Sequence, residues 1–272
     1  MRLIVGIVTI LAGFATAGLA GPSNALRPLL TGNDSRGWEA VGRLDIAGRN
    51  MCTGAMIAPD LVLTAAHCLF DKTSGKRLQD NRIKFRAGWR SGRATAYANV
   101  KRAVIAPDYT FSQNPGNEQL RNDIAVLQLT QPIRKTSVTP YDTDLHPRKG
   151  ANVDIVSYAH DRAQSPSIEE SCRVLARQSG TLVLSCDVDF GSSGAPIFAI
   201  KDGTPSIVSV VSAMAEVKGR KVALGTSLEK PLALILAELK TQKTYFKKAN
   251  SAGKKLFHRN NRSSISAKFI RP

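Results

Sequence analysis

From residue 38 onward the chain alternates short apolar runs with clusters of Gly, Pro, Asn and Asp. Runs rich in Val, Ile, Leu and Thr between such breakers read as strands. The pattern predicts strands at 38–44, 52–58, 61–64, 83–87, 96–106, 124–129, 153–158, 173–178, 181–186, 195–200, 206–213 and 221–227. So many short strands at close spacing argue for a barrel or a sandwich. A polar stretch at 130–150, with Pro132, Pro140 and Pro147, divides them into two sets. No internal repeat is visible.

Two segments leave this pattern. Leu232, Ile235, Leu236 and Leu239 recur at helical spacing behind Pro231, which predicts one amphipathic helix with Pro231 at its first position. At the other end, Met1-Arg2 precedes the uncharged run 3–20, closed by Ala15, Ala17, Gly18 and Ala20. A short positive start, an apolar stretch and small residues read as a secretory signal peptide over 1–20. The competing reading is a membrane anchor, since the run is long enough to be considered as a span. Residues 21–37, rich in Gly, Pro, Asn and Ser, read as a leader or irregular arm.

Charge changes the picture only at the end of the chain. The formal net charge is +17. Nine cations and no acid fall in 243–272: Lys243, Lys247, Lys248, Lys254, Lys255, Arg259, Arg262, Lys268 and Arg271. Such a segment reads as a solvated, disordered tail. The sharper alternative is an electrostatic anchor for an anionic surface or polyanion.

Four cysteines, Cys52, Cys68, Cys172 and Cys186, in a chain with a signal peptide suggest disulfides and an oxidising compartment, extracellular or periplasmic. Three pairings are open from the count alone. A metal site is disfavoured, because neither CxxC nor a paired histidine occurs.

The chemistry lies in three strings taken in order. LTAAHC supplies His67, RNDIAVLQL supplies Asp123, and GSSGAP supplies Ser193. A serine hydroxyl attacks a carbonyl only if a base takes its proton, and the base needs a partner that fixes its tautomer. Asp123 at the mouth of an apolar strand suits that partner, because a buried carboxylate requires a donor. Glycines around Ser193 let the backbone turn tightly, so that the N–H groups of Gly191 and Ser193 point at one oxyanion. A glycine-flanked serine alone is a weak signal, but an α/β-hydrolase would place its Asp and His after the serine. Here both come first. His146, His160 and His258 lack any comparable setting.

The segments CTGAMIAPDLVLTAAHC (52–68), NDIAVLQL (122–129) and GSSGAP (191–196) resemble the trypsin and chymotrypsin family, above all its compact bacterial branch, which includes glutamyl endopeptidases. The resemblance covers about residues 38–239. It implies an all-β fold of two six-stranded antiparallel β-barrels, with the active site in the cleft and a C-terminal helix. It implies the pairs Cys52–Cys68 and Cys172–Cys186. It carries base, orienting acid and nucleophile onto His67, Asp123 and Ser193. The oxyanion donors fall on Gly191 and Ser193, and a serine lining the substrate backbone on Ser212.

Two departures from the family stand out. In the animal enzymes an aspartate precedes the nucleophile and pairs with a newly cut amino terminus; here Ser192 stands there, and a hydroxyl makes no ion pair. Asp187 takes the place of the acid that selects Lys or Arg, on the expectation of a buried carboxylate at a pocket floor. Yet the usual pocket cysteine corresponds to Asp189. The histidine of the glutamate-cleaving enzymes corresponds to Val211, which removes support for glutamate preference. The expectation is a secreted, monomeric serine endopeptidase over 38–242, acting on protein or peptide substrates, with no cofactor. The alternative is a catalytically silent binding protein acting through its basic tail.

Overall fold

The computed structural model describes residues 26–241 apart from 49, 145–146 and 218. The signal segment 1–20, His146, His258 and the basic segment 243–272 lie outside the described residues. Six strands make the first barrel: β2 (Val41–Ile46), β3 (Asn50–Ala58), β4 (Leu61–Thr64), β5 (Ile83–Ala87), β6 (Ala96–Ile105) and β7 (Ala125–Leu129). They close in the order β2-β3-β4-β7-β6-β5, and every pair is antiparallel. Six more make the second: β9 (Asn152–Ser157), β10 (Ser167–Gln178), β11 (Thr181–Leu184), β12 (Pro196–Lys201), β13 (Thr204–Val217) and β14 (Arg220–Ser227). Their order is β9-β10-β11-β14-β13-β12, and the β12–β9 and β10–β9 pairings close the ring. Two-residue strands add to its outside: β1 (Arg27–Pro28) on β10 and β8 (Asp142–Thr143), parallel, on β13.

All twelve expected strands are present. β10 starts six residues earlier than expected, and three further expectations need correction. Trp38 follows the turn 32–37 and precedes β2 rather than lying in a strand, with its N–H on the Ser35 carbonyl at 2.9 Å. Its ring is used against Phe198 and Tyr141, at centroid distances of 5.0 and 6.3 Å. The arm 21–37 is not wholly irregular, because β1 pairs with β10 and Leu29 is fully buried. The helix spans 229–241, so Pro231 is its third residue rather than its first. That is still the first turn, where an N–H has no intrahelical acceptor to lose. Leu232, Ile235 and Leu239 are buried in the larger core, and Arg102 of β6 donates to the Leu239 carbonyl at 3.2 Å. The helix therefore docks on the first barrel. Among the described residues no helix is long and apolar enough to cross a membrane.

The cysteines pair as Cys52–Cys68 and Cys172–Cys186. In the chain-entropy picture, loops of this size each contribute about 3 kcal/mol. Between the barrels, Phe198 of β12 meets Tyr141 of the connecting segment edge-on at 4.7 Å and Trp38 at 5.0 Å, the three rings forming one cluster. The Tyr141 hydroxyl donates to the Gly37 carbonyl at 2.8 Å. Phe198 has no exposed surface. Phe198→Ala should therefore destabilise the protein by about 3–5 kcal/mol, read as a lowered urea midpoint. A midpoint close to that of the wild type would mean that the barrels pack elsewhere.

Candidate active site

His67 sits in the 3-10 turn Ala66–Leu69 that follows β4. The disulfide from the next residue, Cys68, ties that turn to β3. Asp123 ends the short helix α1 (Asn117–Asn122), whose N-terminal Gly116 N–H is capped by Gln119 Oε1 at 3.0 Å. Asp123 is 3% exposed, so its carboxylate needs donors. It accepts the His67 backbone N–H at 2.8 Å on Oδ1 and lies 2.6 Å from His67 Nδ1 on Oδ2. The Ser212 hydroxyl donates to the same Oδ2. With Nδ1 donating to Asp123 Oδ2, Nε2 is left as an acceptor. Beside them, Tyr109 is buried, and both desolvation and the Asp123 charge push its hydroxyl well above the usual tyrosine range.

Ser193 lies on the loop 187–195 that leads into β12. The loop is pinned at its carbonyls. Phe190 O accepts from His160 N–H at 2.8 Å, Gly191 O from Thr53 Oγ1 at 3.0 Å, and Ser193 O from Thr53 N–H at 2.9 Å. Gly194 N–H donates to the Val211 carbonyl at 2.7 Å. The N–H groups of Gly191 and Ser193 meet no backbone acceptor among the described residues. Both glycines have positive φ, +100° at Gly191 and +75° at Gly194. At Gly194 a side chain would also meet Thr53 O at 2.5 Å and Ala65 N at 2.8 Å. Only glycine lets the loop press this closely against the first barrel.

The structure thus joins His67, Asp123 and Ser212 by hydrogen bonds. Ser193 reaches the same region through Thr53, whose neighbour Cys52 is bonded to Cys68 beside His67. Among the described residues no hydrogen bond links the Ser193 hydroxyl to His67. A cavity of about 400 Å³ opens on His67, Asp123 and Ser212, walled by Tyr109, Leu120 and Phe190. Lys72 lies over the Phe190 ring at 5.6 Å.

Asp187 is exposed, contrary to the expected buried floor, and its N–H donates to Glu169 Oε2 at 2.9 Å. Val211 is buried and exchanges backbone bonds with Gly194 and Ala195. His160 is exposed in a 3-10 turn. Two groups combine metal-ligand residue types, Cys52, His67 and Cys68, and Glu169, Cys172 and Cys186. The sulfurs in both are disulfide-bonded, so neither offers a thiolate. Sequence reasoning missed Thr53 and Glu169. The signal for Thr53 was its place beside Cys52; Glu169 gave none.

A family model described as Trypsin matches residues 32–224. The glutamyl endopeptidase of Bacillus licheniformis is 26% identical over 148 residues, 54% of this chain and 45% of that protein. Trypsin of Sarcophaga bullata is 30% identical over 92 residues, covering 34% and 32%, and cathepsin G of Mus musculus is 38% identical over 94, covering 34% and 31%. The matches therefore span about half the length of these relatives or less. A solved Glu endopeptidase structure superposes with a TM-score of 0.62 over 75% of this chain and 91% of that one, at 19% identity.

Glu169 is 1% exposed, and burial pushes its carboxyl up to about 7. An acid with a raised folded pKa holds its proton longer folded than unfolded, so stability falls as pH rises from about 4.5 to about 7 and is then level. Against Glu169→Gln, which does not titrate, the wild type should lose up to about 3 kcal/mol across that window. Urea midpoints at several pH values read the difference; a constant offset would show that the carboxyl is not desolvated.

Proposed function

Because the chain belongs to the trypsin family, we propose that it is a serine endopeptidase working through Ser193, His67 and Asp123. The observation that carries this reading is the buried Asp123 carboxylate, held by the His67 ring, the His67 backbone and Ser212 at once. His67 Nε2 takes the proton of Ser193 Oγ as that oxygen attacks the peptide carbonyl. Asp123 stays ionised and stabilises the imidazolium. The developing oxyanion accepts hydrogen bonds from the Gly191 and Ser193 N–H groups, each worth about 10²–10³ in rate in comparable sites. His67 then protonates the leaving amine, and water resolves the acyl-enzyme by the same steps reversed. No step calls for a cofactor. The apolar start of the chain and the two disulfides support secretion.

The test is labelling with a fluorophosphonate together with peptide or ester turnover. Wild type should react, and Ser193→Ala should not. Ser193→Ala and His67→Ala should each lower turnover by several orders of magnitude, and the double variant by little more, because the groups act as a unit. Losses that multiply would overturn the assignment.

Asp187 remains the proposed acid for basic side chains, with one change in expectation. An exposed carboxylate pairs weakly, so selection for Lys or Arg should be modest. Asp187→Ser should lower kcat/KM for Arg and Lys substrates less than about tenfold and leave Leu and Phe substrates unchanged. No change on the basic substrates would remove Asp187 from the pocket.

A further inference from the structure

The loop that carries Ser193 is held by two largely buried ionisable side chains that the reaction does not use. At its start, Glu169 of β10 accepts the Asp187 N–H at 2.9 Å. Nearer the nucleophile, the holding group is Arg162, in the turn His160–Arg162. Its side chain is only 14% exposed. Nη1 donates to Ser157 O at 2.9 Å and Ser157 Oγ at 3.1 Å, and Nη2 to Ser192 Oγ at 3.4 Å. Ser192 is wholly buried, and its hydroxyl also lies 3.3 Å from Ser157 Oγ. The same turn bonds Phe190 through His160 N–H. One turn therefore grips the loop on both sides of Gly191.

A guanidinium taken out of water requires countercharge. The acids whose fields act on Arg162 are Asp161, Asp189, Glu169 and Asp187, and three of these belong to the loop or bond to it. Charges buried in this way seldom add net stability, so their role is to be sought in geometry. Ser192 stands where the animal enzymes place an aspartate that pairs with a newly cut amino terminus. A hydroxyl cannot neutralise a cation, but it can accept a hydrogen bond from one. Here the cation is internal, and its countercharge comes first from Asp161, then from Asp189, Glu169 and Asp187.

We propose that Arg162 is a positioning residue which, through Ser192 and with Glu169 bracing Asp187, holds the loop in the form that aims the Gly191 and Ser193 N–H groups into the cleft, with no newly cut amino terminus required. This rests on the oxyanion role given to those groups above. It places the effect of Arg162 in the transition state, because the oxyanion exists only there.

The experiment uses the full chain and a chromogenic peptide or ester. Arg162→Met keeps much of the volume and removes charge and donors; it should lower kcat by about 10²-fold with KM little changed. Arg162→Lys should recover at least about a tenth of the wild-type kcat, because it restores a cation and a donor. Methylguanidinium should partly rescue Arg162→Ala. Ser192→Ala cuts only the link and should lower kcat about tenfold by loss of one charged hydrogen bond. Chains beginning at different residues between 21 and 25 should share one kcat. An Arg162→Met protein with the wild-type melting temperature and kcat overturns the proposal. If that variant fails to fold, a wild-type kcat in Ser192→Ala overturns it instead. A kcat that follows the first residue of the chain also overturns it. A wild type that takes no fluorophosphonate refutes the hydrolase reading itself, a separate result from any of these.

Discussion

Thr53 is the point at which the two barrels are made to agree. It belongs to β3 of the first barrel, yet its N–H binds Ser193 O and its hydroxyl binds Gly191 O, while Tyr158 N–H from the second barrel binds that hydroxyl. The residue is fully buried, so each of these bonds forms away from competing water, where leaving a partner unmet is expensive. The candidate site inherits its geometry from this contact. A shift of one barrel against the other would move the loop of Ser193 and the turn of His67 together, because Cys52, next to Thr53, is bonded to Cys68. The close approach also explains the glycine at 194, whose Cα leaves no room for a side chain against Thr53 and Ala65.

A second constraint concerns charge. Asp123 is buried in the first barrel and Glu169 in the second, and the fold treats them differently. Asp123 has donors from three directions, among them a ring nitrogen and a hydroxyl. Glu169 has one backbone donor and an acidic neighbour, and its proton is held up to about 7. The comparison gives physical content to the difference between a buried carboxyl met by several donors and one met by a single donor. The first is met by donors on both oxygens; the second has Arg162 near enough to offset part of its desolvation.

Most of the architecture was legible, because strands with one face in a barrel core carry the alternation that betrays them. β4 and β5 match the sequence reading residue for residue. The gaps have particular causes. The front of β10 was missed because Ser167 and Glu169 are polar residues on the buried face and Ser171 adopts φ of 63°, which breaks both the hydropathy pattern and the ladder. α1 was missed because its six residues bury only Leu120 and so show no periodicity. In the site, His67, Asp123 and Ser193 were readable because each sits in a string whose flanking residues are constrained too. Arg162 and Glu169 were not, since a lone cation in a loop and a lone acid in a strand look like solvated surface until the fold buries them.

The two ends of the described chain cross over. The segment before the first barrel lays β1 and Leu29 on the second, and the helix after the second barrel closes on the first. Each barrel is thus completed by residues from the far end of the sequence. In chain order residues 229–241, which cover an apolar wall of the first barrel, come after all of that barrel's own strands. The core of the first barrel therefore depends on residues made after the whole of the second. Damage at one end of the chain is then felt in the opposite half, which makes the integrity of the whole, rather than of either barrel, the condition for a formed cleft.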